Sequence, residues 1–161
     1  MFLAGKRGTP EEGTGMKTIE KVILLKRVEM FARTPEEVLA EIAQLLEEME
    51  FKAGQAVFQK GDVGDGLYIV VDGRVRVFDA ERTLGRLGPR DIFGELALLD
   101  PEPRSASVEA VEDTRLLRLD RDTFSELMAG NIEMVAGVLR VLCQRLRRLS
   151  AATPAADGSG G

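Results

Sequence analysis

The chain contains no histidine, no tryptophan and a single cysteine, Cys143. Without His it cannot build a Ser-His-Asp or Cys-His catalytic arrangement, a His-ligated zinc, iron or copper site, or a haem held by a proximal His. One Cys excludes an intramolecular disulfide, a Cys-rich zinc site and an iron–sulfur cluster, and it fits a reducing compartment. Basic residues are outnumbered, 22 against 27 acidic ones, for a net charge of −5. That balance argues against a general attraction to nucleic acid or anionic membrane. No apolar run approaches the roughly 20 residues that cross a bilayer. The opening Met1-Phe2-Leu3-Ala4 run breaks at Gly5-Lys6-Arg7, unlike a signal peptide. These absences predict a soluble, cytoplasmic protein with no metal or cofactor. What is present, 161 residues at 44% hydrophobic and 30% charged, suits one globular domain with a sizeable core.

The period of the apolar pattern divides that length. Residues 1–16, broken by Gly5, Gly8, Gly13 and Gly15, read as a flexible leader, and the small and polar residues 150–161 as a disordered tail. Between them, 17–149 read as a single domain. Its first part, 17–49, carries two helices. One covers about 18–30; the other starts with Thr34 as N-cap, Pro35 at the first helical position and Glu37 closing a capping box. Val38, Leu39, Ile42, Leu45, Leu46 and Met49 extend an apolar face along the second helix. Residues 50–120 are short β-type runs separated by Gly and Asp turns, at 56–58, 67–71, 75–78, 82–87, 105–111 and 115–119, and Asp72-Gly73 reads as a hairpin turn. Several short strands at this spacing predict a sandwich or barrel-like roll. Residues 121–149 form two closing helices. The first is capped by Asp120 or Asp122; in the second, Ile132, Val135, Leu139, Leu142, Leu146 and Leu149 step by alternating threes and fours, an a/d seam. Arg140, Arg145, Arg147 and Arg148 read most simply as a solvated face of that helix.

One interruption of the β region carries chemistry. Glu95-Leu96-Ala97-Leu98-Leu99 favours helix, lies between strands and is stopped by Pro101. A single helical turn there leaves its first N–H groups without intrahelical partners, which suits an anion. Gly94, lacking Cβ, admits an oxyanion close to the backbone. Arg104, just past Pro103, can fold back and grip a phosphate through two parallel N–H bonds. A carboxylate at Glu95 makes sense beside such a site if the anion is a phosphoester on a sugar whose hydroxyl donates to it. The alternative is that Glu95 merely favours a helix start, while Arg104 forms a surface pair with Glu102 or Glu109.

The blocks Phe93-Gly94-Glu95-Leu96-Ala97-Leu98-Leu99 and Pro103-Arg104-Ser105-Ala106-Ser107-Val108 together resemble the phosphate-binding cassette of cyclic-nucleotide-binding domains, the family of the catabolite activator protein and of protein kinase A regulatory subunits. The resemblance covers about residues 33–149. It implies a mainly β fold with flanking helices: a double-stranded β-helix, or jelly-roll-like β-roll, with N-terminal helices, a short helix in the cassette and two C-terminal helices. It implies that Glu95 accepts from the ribose 2′-hydroxyl and that Arg104 pairs with the cyclic phosphate. It implies that Gly94 and the amides after it, with Ser105, complete the phosphate cradle, and that Phe93, Leu96, Ala97 and Ala106 are also ligand-binding. Val77, Leu84 and Gly85 match positions that line the base pocket, and Arg145, Leu149 and Ser150 match positions that approach the base. Arg90 stands where a Gly is common in the family. Ser105 after the Arg favours cyclic AMP over cyclic GMP.

The implied function is a cyclic nucleotide sensor without catalysis, in which closure of the C-terminal helices, with Phe124, transmits binding to an unknown downstream protein. The seam predicts a homodimer through Val135, Leu139, Leu142, Leu146 and Leu149. Residues 150–161 hold no recognition helix, so direct DNA binding is not expected of this module, and neither is membrane insertion. Two rivals are a dimeric scaffold with a degenerate pocket and an enzyme on a related β-barrel, whose usual His ligands have no counterpart here.

Overall fold

A computed structural model describes residues 6–7, 15–100 and 102–152. The chain passes through α1 (Thr18–Arg27), a 3-10 turn (Glu29–Phe31) and α2 (Glu36–Leu45) between the first and second of its strands. These are β1 (Lys6–Arg7), β2 (Glu47–Phe51), β3 (Ala56–Phe58), β4 (Gly66–Asp72), β5 (Val75–Asp79), β6 (Arg82–Leu87) and β7 (Ile92–Phe93). The short helix α3 (Leu96–Leu99) precedes β8 (Ser107–Ala110) and β9 (Thr114–Asp120), and α4 (Arg121–Ala129) and α5 (Ile132–Ala152) close the domain.

Among the described residues the strands form two antiparallel sheets, β1-β2-β9-β4-β7 and β3-β8-β5-β6, the mainly β roll with flanking helices that the sequence pattern implies. The inner faces meet in one core that includes Met49, Phe51, Tyr68, Val70, Val75, Phe93, Val108 and Leu116. The outer face of the first sheet packs Leu67, Ile69, Leu117 and Leu119 against Leu25, Phe31, Leu39, Ile42, Phe124, Met134 and Val138 of the helices. Central strand β4 is therefore covered on both sides, which explains why Leu67-Tyr68-Ile69-Val70 is continuously apolar instead of alternating. Each fully buried Leu or Ile side chain in these layers adds roughly 1.5–3 kcal/mol of burial free energy.

The structure corrects the sequence reading in several places. Thr34 does not cap α2: the N-cap is Pro35, in extended backbone, and the Thr34 hydroxyl is buried without a partner. Helix α2 stops at Leu45, because Leu46 turns extended and Met49 pairs with Leu116 of β9, burying its side chain between the sheets. Strand pairing there overrides the helical propensity of the Glu-rich segment. Asp72-Gly73 is not a hairpin. Strand β4 pairs with β7 and β9, β5 with β6 and β8, and Gly73, at φ +91°, turns the corner from one sheet to the other. The tight hairpin joins β5 to β6, where Asp79 faces Arg82 and Ala80 takes φ +54°.

The cap of α4 is Asp120, whose carboxylate accepts from the Thr123 amide at 3.2 Å. Strand β1 falls within the expected leader, and α5 continues past Leu149. Residues 1–5 and 8–14 of the leader, and 153–161 of the tail, lie outside the described residues.

Arg90 takes φ +75° and donates its amide to Val70 O at 2.9 Å, so the family's Gly has a physical reason here. A side chain in this left-handed region costs about 1 kcal/mol. Arg90→Gly is therefore expected to stabilise the fold by up to about 1 kcal/mol, read as a rise of a few degrees in Tm by calorimetry.

Candidate functional site

Strand β7 delivers the chain to Gly94, whose φ of +81° turns it into α3. A Cβ on Gly94 would stand 2.8 Å from Arg104 Nη1 and 2.9 Å from Gly66 O, so only glycine fits without displacing the arginine. The amide of Ala97 is already bonded to Gly94 O at 3.1 Å, which leaves Ala97 a wall residue and not an anion donor.

Arg104 arrives from the other side. Its backbone is clamped by the β3–β4 loop, with Arg104 N donating to Asp62 O at 2.7 Å and Gly61 N donating to Arg104 O at 2.8 Å. The side chain is 8% exposed. Nη2 donates to Gly66 O at 2.9 Å, Nη1 to Gly94 O at 3.4 Å, and Cζ lies 4.2 Å above the centroid of the Phe58 ring. Burial pulls its pKa down, yet a guanidinium stays charged. Glu109 pairs instead with Arg76 at 2.8 Å, so Arg104 is not the surface ion-pair residue of the alternative reading.

Glu95 is 1% exposed. Its Oε1 pairs with Nη1 of Arg145 from α5, and its Oε2 is buried without a hydrogen-bond partner. Burial pushes the carboxyl above the ordinary carboxylate range, against the opposing pull of Arg145, its own backbone amide and Arg104. Arg145 also reaches Ile92 O at 3.4 Å, so α5 is tied to the cassette through one side chain.

These groups line a cavity of about 680 Å³, within the range of small-molecule sites. Of the site residues expected from sequence, Phe93, Gly94, Glu95, Ala97, Arg104, Ser105, Ala106, Val77, Leu84, Gly85 and Arg145 line it, whereas Ser150 does not. The Leu96 side chain lies outside the described residues. Leu149 lines the cavity too, whereas Phe124 is fully buried in the helix-side core. The arginines of α5 are not simply solvated, since Arg145 reaches Glu95 and Arg148 lines the cavity. Sequence reasoning missed Phe58, the ring beneath Arg104, and Gly64 and Gly66. The glycine density of Gly61-Asp62-Val63-Gly64-Asp65-Gly66 is the signal that marks a close backbone approach.

With a buried cation, a buried acceptor and an apolar wall in one cavity, the chain can hold an anionic, hydroxyl-bearing molecule with an apolar end. Among the described residues, no group of acidic and Cys side chains is placed to hold a metal ion, and no helix is long and apolar enough to cross a membrane.

Comparison with known proteins agrees with this geometry. The model of a family described as cyclic nucleotide-binding domain matches residues 48–131. The CRP-like cAMP-activated global transcriptional regulator of Mycobacterium tuberculosis is 35% identical over 130 residues, 78% of this chain and 58% of that protein. The cyclic AMP receptor protein of Thermus thermophilus is 42% identical over 102 residues, 60% of this chain and 47% of that one. The crystal structure of the N-terminal domain of a transcriptional regulator from Streptomyces coelicolor A3(2) has a TM-score of 0.68 at 31% identity, over 86% of this chain and 98% of that one. The chain spans about half the length of the curated relatives it matches. The match runs from β2 through the Gly94 turn and Arg104 to the end of α4, and the chain belongs to the cyclic nucleotide-binding domain family.

Proposed function

We propose that this chain is a cytoplasmic sensor that binds cyclic AMP, in preference to cyclic GMP, and passes the event through α5 to a downstream protein. The observation that carries the reading is the buried, unpartnered Glu95 Oε2 in the same cavity as the buried Arg104 guanidinium. A ribose hydroxyl satisfies the first and a cyclic phosphate the second. Gly94, Ser105 and Ala106 border the phosphate, Val77, Leu84 and Gly85 the base, and Arg148 and Leu149 close over it. The names of the Mycobacterium tuberculosis and Thermus thermophilus relatives, both referring to cyclic AMP, support the choice of nucleotide.

The Glu95–Arg145 pair supplies the coupling. A hydroxyl donated to Glu95 lowers the need of that carboxylate for Arg145, and a ligand that contacts one position of α5 better shifts the population towards it. The names of the relatives, a transcriptional regulator and a receptor protein, support a role in binding and not in hydrolysis. Calorimetric titration of cyclic AMP and cyclic GMP tests both points. The expected result is tighter binding of cyclic AMP with intact nucleotide recovered; no binding of either at millimolar concentration, or a linear monophosphate as product, contradicts the reading.

The raised Glu95 carboxyl gives a pH signature. A sugar hydroxyl bonds the ionised form, so binding draws the pKa back down. Affinity is expected to fall as pH falls through the raised Glu95 titration, and the ligand-free fold to gain stability over the same descent, because the folded state holds a proton that the unfolded state has lost. In Glu95→Gln both dependences flatten, as measured by calorimetry and by Tm across mildly acidic pH.

The face of α5 turned away from the core supports the homodimer. Ile132 is 81% exposed, Leu139 55% and Leu146 64%, with Leu149 also exposed and Val135 and Leu142 half-buried beside them, whereas Met134 and Val138 on the other face are buried. Exposed side chains of this size in one stripe mark an interface. Sedimentation is expected to show a dimer for the wild type and a monomer for Leu139→Glu; a monomeric wild type overturns the assignment.

A further inference from the structure

Arg118, in β9, is 6% exposed and lies beneath the loop 64–66. Its Nη2 reaches Asp65 Oδ1 at 2.9 Å and Asp65 O at 3.5 Å, while Glu47 and Asp120 carboxylates stand 3.6 and 3.8 Å from its guanidinium. The loop has no spare room above this arginine: a Cβ on Gly66 would meet Arg118 Nε at 3.1 Å and Leu119 O at 3.0 Å. On its opposite side the same loop meets Arg104. Gly66 O accepts from Arg104 Nη2 at 2.9 Å, and a Cβ on Gly64 would stand 3.1 Å from Arg104 Nε and 2.8 Å from Ala97 Cβ. Residues 64–66 are thus held between two guanidinium groups.

We infer that Arg118 is a positioning residue for Arg104: by pinning the Asp65 carboxylate at 2.9 Å, beside the Arg121 amide that holds the Asp65 carbonyl at 2.8 Å, it fixes the Gly66 carbonyl that aims the Arg104 fork into the cavity. The inference rests on the proposed role of Arg104 towards a cyclic phosphate. An arginine fork is effective only when its direction is set, because two parallel bonds to one anion tolerate little rotation. Three carboxylates around Arg118 compensate its burial, and one of them, Asp65, belongs to the loop it holds.

The test is a double-mutant cycle on the full chain. Cyclic AMP is titrated calorimetrically into the wild type, Arg118→Met, Arg104→Lys and the double variant. Arg118→Met is expected to weaken binding about fivefold or more in the wild-type background and less than about twofold when Arg104 is already Lys. Unchanged affinity in Arg118→Met, or losses that simply add, overturns the inference, since a general loosening of the fold acts whatever residue stands at 104. If Arg118→Met does not fold, Asp65→Asn, at a carboxylate that is largely exposed, takes its place in the same cycle with the same expected pattern and the same overturning result.

The second arm needs no ligand. In heteronuclear NMR of the ligand-free protein, the Arg104 Nε–H resonance is expected to be single in the wild type and shifted or broadened in Arg118→Met or Asp65→Asn. An unmoved resonance overturns the positioning role. If the wild type binds no cyclic AMP, the proposed function fails, while this arm still decides whether Arg118 sets Arg104.

Discussion

Replacing Arg104 by Ala is expected to weaken cyclic AMP binding by about a hundredfold or more, the loss of two charge-assisted hydrogen bonds at roughly 1.5–3 kcal/mol each. Calorimetric titration measures it, and an affinity within about threefold of the wild type contradicts the assignment of the phosphate to this residue. The variant also loses part of its stability, because Gly66 O and Gly94 O lose the donors they now have and Phe58 loses its cation. An unmet buried carbonyl costs about 1–3 kcal/mol. Arg104→Lys separates the two effects: it keeps the charge and gives up the fork, so binding falls while the fold is largely kept.

Gly137→Ala is expected to be the most disruptive single methyl addition on the helix side of the fold. In α5, a Cβ at this position would come 2.0 Å from Met30 O in the 3-10 turn, and a backbone oxygen cannot swing aside as a side-chain tip can. The two segments must separate, opening the core around Met30, Met134 and Val138. Overpacking of this kind costs about 3 kcal/mol. For a chain of this length that corresponds to a fall in Tm of roughly 6–12 °C. Because Arg145 rides on the same helix, the shift also draws it from Glu95. A Tm within about 2 °C of the wild type contradicts the close packing of α5 on the turn.

The parts of the site written into one stretch of chain were legible in the sequence. Gly94, Glu95 and Arg104 belong to a turn and the loop that leads into β8, and their chemistry follows from residue type and spacing. The partners that make them work come from elsewhere. Phe58 acts through a ring face and Gly66 through a carbonyl, and neither property marks a residue type. Arg145 matched a base-approaching position in the resemblance, yet its guanidinium meets Glu95, a contact set by where α5 lies on the roll. The fold shows the same division. Strand runs with strong β propensity, such as β5 and β6, kept their place, whereas Glu47-Glu48-Met49 continued a helical period and became strand because β9 needed a partner. Asp72-Gly73 carried the right turn chemistry, and only the pairing of β4 with β9 decided that it turns between sheets.

In the proposed site one cavity reads a cyclic phosphate with Arg104 and a ribose hydroxyl with Glu95. A crystal structure of the protein grown with cyclic AMP tests it most directly. The cyclic phosphate is expected on the Arg104 fork beside Gly94, with the ribose 2′-hydroxyl donating to the now unpartnered Glu95 Oε2. A nucleotide bound elsewhere, or one whose phosphate avoids Arg104 while Glu95 Oε2 stays unbonded, contradicts it.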